Sequence, residues 1–386
     1  LSRSPKYHRP RGLFCGTGHC GSCLMRIDGR PNVRACLVPA TANLRCERQN
    51  ALPDADLDLL AAADWLFPAG MDHHRLMTGT RLGNEAFVKL VRRMGGTGTL
   101  PDAPAEAYGP VQDRDVGVCV VGAGPAGLTA ARVIAESKPG LAVLLLDDQP
   151  VAGGSLLAEA DGWSHAQRLS EAAARAGVEH LARANVIGVY PEEHAPASPL
   201  RGVVAVATAS GLLRVRANRF VYATGAYDQN LPIADNDRPG RLAVRALGRL
   251  AFHWGVAPSG EIRLVVPSEA GAAAEATRHY CERLRDGLKR RGLSCVTTPP
   301  NAMPVAHHKR DVFAMAGTPA PASELPRQHG ATVTFDFARG GFAVAVNEAG
   351  EAAPGVSCVG DVTGYLGPAA AEAAGAAVGA AIARSL

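Results

Sequence analysis

The sequence has few aromatic residues and no strong excess of either charge. Aromatic side chains make up 5% of the 386 residues, and 40 basic against 36 acidic residues leave a formal net charge of +4. The basic residues are spread along the chain, so nucleic acid is not an expected partner. No stretch reaches the ~20 consecutive apolar residues that a membrane-crossing helix needs. These shortages exclude a membrane span and a basic nucleic-acid-binding surface.

Disulfide scaffolds are also excluded, because nine cysteines are few for a chain of 386 residues. Four of them have the spacing C-x4-C-x2-C-x12-C, which is typical of plant-type [2Fe-2S] sites. Structural zinc, the alternative, normally uses two CxxC or CxxH pairs, whereas only one such pair is present. The predicted ligands, which imply a reducing cytoplasmic compartment, are Cys15, Cys20, Cys23 and Cys36.

The remaining cysteines lack ligand spacing and are expected to be small buried hydrophobic residues: Cys46, Cys119, Cys281, Cys295 and Cys358. His19 lies inside the cysteine loop and is expected to face solvent. A ferredoxin-type domain normally has a hairpin and a helix before this loop, but the sequence begins with Leu1, close to Cys15. We therefore expect the module to be N-terminally truncated.

A glycine fingerprint follows the apolar run that begins near residue 116. Gly122, Gly124 and Gly127 form G-x-G-x-x-G, which allows a tight turn, close approach of a pyrophosphate and close helix packing. Asp147 lies 20 residues after Gly127, where an acidic side chain accepts hydrogen bonds from ribose hydroxyls. The motif predicts a dinucleotide site on a βαβ unit with a parallel sheet.

Two later segments resemble those of flavoproteins with two dinucleotide-binding domains. The resemblance implies that Thr224 and Gly225, at a strand end, lie beside the flavin nucleotide. It also implies that Gly360 and Asp361 contact its ribityl or phosphate part. An ordinary strand end and an ordinary helix N-cap are the alternative interpretation.

Such flavoproteins usually carry a second glycine fingerprint, for NAD(P), between these two segments. The corresponding stretch from Glu261 to Ala276 contains only Gly271. A close pyrophosphate contact is difficult to build without the other glycines. We therefore expect a degenerate Rossmann unit here, retained for packing or as a partner surface.

The sequence predicts an α/β fold, a Rossmann-like flavoprotein with two dinucleotide-binding domains and an N-terminal ferredoxin-like [2Fe-2S] module. The predicted parts are the cluster module at 1–50, a helical linker at 51–112, the FAD domain at 113–240 with 318–386, and the degenerate insert at 241–317. Within them we expect a strand at 141–146, a hairpin turning at Ser210 and Gly211, and a separate strand before Thr224.

Several segments resemble the N-terminal half of the α subunit of heterotetrameric sarcosine oxidase. They are RSPKYHRPRG, PNVRACLVPATANLRCERQN, DQPVAGGSL, ATGAYDQNLPIADNDRPG and GVAPSG. The wider family includes subunits of hydrogen cyanide synthase, opine oxidase and bacterial proline or hydroxyproline dehydrogenases. The resemblance adds Gly153 and Gly154 to the cofactor-binding residues and allows FAD, NAD or ATP at the nucleotide site.

In that family a D-amino-acid-oxidase-like flavoprotein β subunit oxidises the amine, and the α-type subunit relays the electrons. The resemblance therefore implies an electron-transfer subunit that is inactive without its partner. No acid/base constellation was found, since the pairs His73/His74 and His307/His308 lie in polar stretches. The alternatives are a self-sufficient NAD(P)H-dependent flavin or ferredoxin reductase and an iron-sulfur redox sensor.

Overall fold

The computed structural model describes residues 2–4, 7–54, 56–66, 80–94, 109–190, 202–302 and 311–386. The chain divides into two compact units. The first comprises Leu1–Glu106 and Pro232–Leu242, and the second comprises Ala107–Leu231 and Ala243–Leu386. Our finer division into four parts remains a prediction.

The first unit contains short antiparallel strands and two helices. Its strands are β1 (Ser2–Arg3), β2 (Pro10–Arg11), β3 (Leu24–Ile27), β4 (Arg30–Arg34) and β5 (Cys46–Glu47), and its helices are α1 (Ala62–Leu66) and α2 (Arg81–Met94). Strands β1 and β2 pair with each other, and β3 lies between β4 and β5. The loop between β2 and β3 carries three of the four predicted cluster cysteines.

The second unit is built on a larger, mostly parallel sheet. Its strands are β6 (Gln112–Val121), β7 (Val143–Leu146), β8 (Glu179–Leu181), β9 (Asn185–Tyr190), β10 (Val203–Thr208), β11 (Gly211–Tyr222), β12 (Ala226–Tyr227), β13 (Arg241–Ala243, which begins in the first unit), β14 (Ile262–Val265), β15 (Cys295–Thr298), β16 (Val312–Met315), β17 (Ala320–Pro321), β18 (Val333–Asp336), β19 (Gly341–Val344), β20 (Glu351–Ala353) and β21 (Val356–Cys358). Its helices are α3 (Pro125–Ser137), α4 (Gly162–Arg175), α5 (Val244–Gly248), α6 (Ala272–Arg290), α7 (Glu324–Gln328) and α8 (Pro368–Ser385).

The predicted βαβ unit is present as β6, α3 and β7. Strand β6 lies between β11 and β7 and is parallel to both. Its apolar end alternates between two buried faces, because successive side chains of a strand point to opposite sides. One face packs with α3 and α8 through Val118 and Val120, and the other contributes Cys119 and Val121 to a second core. This packing fixes the glycine turn at the carboxyl end of β6.

Our prediction of a separate strand before Thr224 was wrong. It is the second half of β11, which runs without a break from Gly211 to Tyr222. Along one edge β11 pairs with β6 over most of its length, while its other edge pairs first with β10 and then with β21. Residues 216–219 lie between these two partners on that edge, and Arg216, Asn218 and Arg219 interrupt the apolar pattern, which is why the sequence suggested two strands.

Within the predicted insert, β14 lies between β15 and β16 and is parallel to both. Helix α6 follows β14 after a six-residue connection that ends at Gly271. The insert therefore contains the strand, turn and helix of a dinucleotide-binding unit. Its turn differs from the glycine turn after β6 in what the backbone packs against.

Candidate functional site

The predicted cluster cysteines meet around a glycine-rich loop. Gly18 adopts φ +85°, a backbone conformation that favours glycine. A Cβ at Gly18 would lie within van der Waals overlap of the Leu37 side chain, next to Cys36. The absence of a side chain at Gly18 thus lets the loop approach the segment that supplies the fourth cysteine.

The four thiols interact as two pairs. Cys15 pairs with Cys20, and Cys23 pairs with Cys36. The hydrogen bond within each pair lowers the pKa of Cys15 and Cys23 and raises the pKa of Cys20 and Cys36. Backbone N–H groups of Thr17 and Cys20 also donate to the Cys15 sulfur, at 3.4 Å and 3.5 Å. Each pair therefore favours one thiolate, the form that binds iron, hydrogen-bonded to one thiol.

The pairing of the four thiols fits a two-iron cluster. A [2Fe-2S] cluster uses two protein ligands on each iron, which matches two pairs of thiols. His19 is exposed, as the sequence predicted. The ligand assignment itself stays a prediction.

The expectation for the other five cysteines was wrong at one position. Cys119, Cys281, Cys295 and Cys358 are buried, whereas Cys46 is exposed. Cys46 lies in β5, a strand of two residues that pairs with β3 at the edge of this small sheet. None of the nine cysteines forms a disulfide bond.

The glycine turn after β6 has the geometry of a phosphate-binding turn. A Cβ at Gly122 would overlap the carbonyl oxygen of Ala223, and one at Gly127 would overlap the carbonyl oxygen of Gly122. A Cβ at Gly124, in contrast, would meet only the Cα of Gly154, at 3.9 Å. Gly124 is also the N-cap of α3, whose positive end favours an anion. A cradle beside Gly124 thus stays open because Gly124 has no side chain.

The segment around Gly153 and Gly154 contacts the same turn. The Gly153 N–H donates to the Ala123 carbonyl at 2.8 Å. Gly154 adopts φ +53°, and a Cβ there would lie 2.8 Å from the Cα of Gly124. The structure therefore brings together the two glycine segments that the sequence assigned to the cofactor.

Asp147 lies at the carboxyl end of β7, half-buried beside the turn. One carboxylate oxygen accepts from the Ala123 N–H at 2.5 Å, and the other accepts from the Gln149 N–H at 2.8 Å. Burial and the neighbouring Asp148 raise the pKa of Asp147 to about 7. Each oxygen retains acceptor capacity, so Asp147 is placed where a ribose hydroxyl can donate to it.

The two later segments also meet the glycine turn and α3. Gly225, at φ +76°, has nothing within 4 Å of its Cβ position, and the neighbouring Thr224 hydroxyl donates to the Ala322 carbonyl at 2.7 Å. A Cβ at Gly360 would lie 2.8 Å from the Cβ of Ala126, in the first turn of α3. Asp361 is buried, which raises its pKa to about 6. A Cβ at Gly122 would lie 3.3 Å from the Thr224 nitrogen. The two later segments therefore lie beside the glycine turn and the first turn of α3.

The turn before α6 differs from the turn before α3. Gly271 is the N-cap of α6, but a Cβ there would lie 2.9 Å from the Cα of Ala338. Gly271 therefore makes room for the protein's own backbone at Ala338, whereas Gly124 borders open space. His73, His74, His307 and His308 lie outside the described residues.

Sequence reasoning missed a buried ion pair beside these segments. Arg245, at 9% exposure, donates from Nε to Asp228 Oδ1 at 2.6 Å. Nothing in the local sequence marks Arg245, because it is one arginine among many and follows no motif. Only the three-dimensional contacts separate it from the surface arginines.

Two family models match the chain. A 2Fe-2S iron-sulfur cluster binding domain matches residues 1–51, and a pyridine nucleotide-disulphide oxidoreductase matches residues 116–250. These matches identify the cofactors as a [2Fe-2S] cluster and FAD, and the thiol pairs and the open cradle at Gly124 fit them. No helix in the described ranges is long and apolar enough to span a membrane.

Curated relatives are subunits of oxidases. The chain is 29% identical over 301 residues to the alpha subunit of sarcosine oxidase from Rhizobium meliloti (strain 1021), covering 70% of this chain and 29% of that protein. It is 31% identical over 159 residues to an opine oxidase subunit from Agrobacterium tumefaciens (strain Ach5), covering 38% and 31%. It is 46% identical over 39 residues to the HcnA subunit of hydrogen cyanide synthase from Pseudomonas aeruginosa, covering 10% and 38%.

The matched part of the chain thus spans less than a third of the sarcosine oxidase and opine oxidase subunits. Among solved structures, L-proline dehydrogenase from P. horikoshii matches with a TM-score of 0.70 and 19% identity, covering 100% of this chain and 67% of that one. At this identity the match establishes the fold alone. The chain is therefore a homologue of the sarcosine oxidase α, opine oxidase and HcnA subunits, an oxidoreductase-family flavoprotein with an N-terminal [2Fe-2S] domain.

Proposed function

We propose that this chain is the electron-transfer subunit of a heteromeric amine or amino-acid oxidase or dehydrogenase. The observation that carries the proposal is the combination, in one chain, of a four-thiol cluster loop and an open dinucleotide cradle. When bound, a [2Fe-2S] cluster and FAD supply electron-transfer chemistry. Homology to subunits of sarcosine and opine oxidases supports a partner subunit.

The protein's own residues bind and orient these groups. Cys15, Cys20, Cys23 and Cys36 would hold the irons as thiolates. The cradle at Gly124 would take the pyrophosphate, and Asp147 would accept from the ribose hydroxyls. The donor is proposed to be a D-amino-acid-oxidase-like flavoprotein subunit that performs the amine chemistry.

The turn before α6 argues against a self-sufficient NAD(P)H reductase. A second nicotinamide nucleotide needs a backbone that can approach its pyrophosphate closely. At Gly271 that space is taken by Ala338. Electrons are therefore proposed to arrive from a partner protein and not from NAD(P)H bound to the insert. A reducing, cytoplasmic compartment is part of the proposal, because four clustered cysteines in a long chain indicate a metal site and not a disulfide scaffold.

Reconstitution tests the proposal. The purified chain alone should neither oxidise an amine nor consume NADH, and activity should appear when the flavoprotein subunit from the native complex is added. Cys20→Ser should slow reoxidation of the partner's flavin more than its reduction by substrate, because a relay acts after the chemical step. Cys46→Ser is the matched control and should leave both phases unchanged.

Stopped-flow traces separate these two phases. If Cys20→Ser slows only the substrate-reduction phase, the relay role is wrong. Amine turnover by the single chain would refute the subunit role, and rapid bleaching of its flavin by NADH would favour the reductase alternative.

A further inference from the structure

A short helical segment of the predicted insert carries two arginines toward the predicted FAD segments. By FAD segments we mean the predicted cofactor-binding residues Gly122–Gly127, Asp147, Gly153–Gly154, Thr224–Gly225 and Gly360–Asp361. Helix α5 continues directly into a π-helical turn, Arg249–His253. Arg245 and Arg249 are four residues apart and so lie on the same side of this segment. Short π-helical turns occur frequently at functional sites. The contacts of each arginine show what this side of the segment touches.

Arg245 joins two of the cofactor segments. Its Nε donates to Asp228 at 2.6 Å, and its Nη2 donates to the Ala226 carbonyl at 2.8 Å. Ala226 and Asp228 come directly after Gly225. Its guanidinium carbon lies 5.6 Å from the centre of the Tyr365 ring, four residues after Asp361. A single side chain therefore connects the segment after β11 with the segment after β21.

The positive charge of Arg245 acts on more than the residues that it contacts directly. Burying a guanidinium is unfavourable unless it is paired, and Asp228 supplies the pairing carboxylate. The positive charge of Arg245 also opposes the rise in the pKa of Asp361 that burial causes. Asp361 thus remains a buried acceptor with a cation nearby.

Arg249 acts on the other pair of segments. Its Nη2 donates to the Gly154 carbonyl at 3.1 Å, which holds the turn that contacts Gly124. Its positive charge also opposes the raised pKa of Asp147. The positive charge of Arg245 therefore acts on Asp361, and that of Arg249 acts on Asp147.

We propose that Arg245 and Arg249 are positioning residues of the FAD site. Arg249 holds the Gly154 turn and balances the charge of Asp147. Arg245 ties the two later segments together and so positions Asp361 to accept a hydrogen bond from a hydroxyl group of FAD. The proposal rests on FAD occupying the predicted segments and is independent of any partner subunit.

The pH dependence of FAD binding distinguishes this role from general stabilisation of the fold. The groups that face Asp361 are Arg245 and Tyr365. Without the positive charge of Arg245, the pKa of Asp361 rises further, so the carboxylate is lost at a higher pH. The pH below which FAD binding weakens should then move upward. A purely structural defect would instead lower the affinity by the same factor at every pH.

The experiment compares full-length variants by titrating flavin-free protein with FAD and following flavin fluorescence between about pH 5 and pH 9. Arg245→Met should weaken binding at pH 7 by about ten- to a hundredfold, as expected for loss of a charged hydrogen-bond partner. It should also raise the pH midpoint. Arg245→Lys keeps the charge and should keep the midpoint while losing part of the affinity. Arg249→Met should weaken binding by about tenfold or more.

Two further variants keep the test decisive. Arg245→Met leaves Asp228 buried and unpaired, so Arg245→Met/Asp228→Asn provides a neutral pair if the single variant does not fold. Its midpoint should still be raised. Arg285→Met removes another insert arginine, paired with Asp286 at 3.4 Å, and should bind FAD like the wild type.

The proposal is overturned if Arg245→Met binds FAD as the wild type does, or if its affinity falls equally at all pH values. It is overturned for Arg249 if Arg249→Met matches Arg285→Met. Gly124→Ala tests the FAD segments themselves. If that variant binds FAD normally, the assignment of the site is at fault, and not only the role of the arginines.

Discussion

Gly124→Ala should separate FAD affinity from stability of the fold. Gly124 has φ −76° and ψ −177°, an extended conformation that alanine adopts without strain. The new Cβ would meet only the Gly154 Cα, at 3.9 Å, which is an ordinary van der Waals contact. The methyl group would therefore occupy the open cradle and displace nothing in the protein itself.

The expected magnitudes have opposite signs. Alanine restricts the unfolded chain more than glycine does, so the free energy of unfolding of the flavin-free protein should stay equal or rise by about 0.4–1 kcal/mol. FAD affinity should fall by at least about tenfold, which corresponds to about 1.4 kcal/mol, because the pyrophosphate loses its close approach to the backbone. Gly124→Val adds two more carbons and should abolish binding while leaving the [2Fe-2S] spectrum unchanged.

Gly127→Ala is the matched control on the same turn. Its Cβ would overlap the Gly122 carbonyl oxygen and lie 3.1 Å from the Ala223 Cβ. Overpacking of this kind destabilises a fold by about 1–3 kcal/mol. Urea unfolding of the flavin-free variants and fluorescence titration with FAD measure both quantities. Wild-type FAD affinity in Gly124→Ala, or a loss of stability as large as that of Gly127→Ala, would refute the reasoning.

Three other predictions use different parts of the chain. Anaerobically purified protein should contain about two irons and two sulfides per chain. Cys20→Ser should lose the iron and sulfide, and Cys46→Ser should keep them. Stoichiometric zinc without sulfide would contradict this prediction. In flavin-free protein the pKa of Asp147 is raised from 3.8 to about 7. Between these pH values the folded state keeps a proton that the unfolded chain releases, so the free energy of unfolding falls as pH rises. Urea unfolding of Asp147→Asn should show a smaller fall. Gly271→Ala should lower the melting temperature but not FAD affinity, because its Cβ would lie 2.9 Å from the Ala338 Cα.

Local sequence patterns predicted the parts of the fold that depend on local conformation. The glycine turn and the cysteine loop are such parts, because positive φ angles and close backbone contacts restrict residue type at fixed spacing. The course of β11 was not predictable in this way. Its polar middle is stable because β6 pairs with it there, and a strand partner from about 100 residues earlier in the sequence leaves no local signal.

A glycine directly before a helix can face different neighbours, and this distinguishes the two helix N-termini. Gly124 and Gly271 both precede a helix that follows a buried parallel strand. Beside Gly124 the backbone faces open space, whereas beside Gly271 it faces Ala338. The sequence could show only that the second turn lacks two glycines. Tertiary contacts determine where the two helices lie. Helix α6 packs its N-terminus on a distant segment, and α5 directs Arg245 to the FAD segments. In our proposal the insert therefore contributes side chains to the first nucleotide site, although it lacks the glycines needed to form a second one.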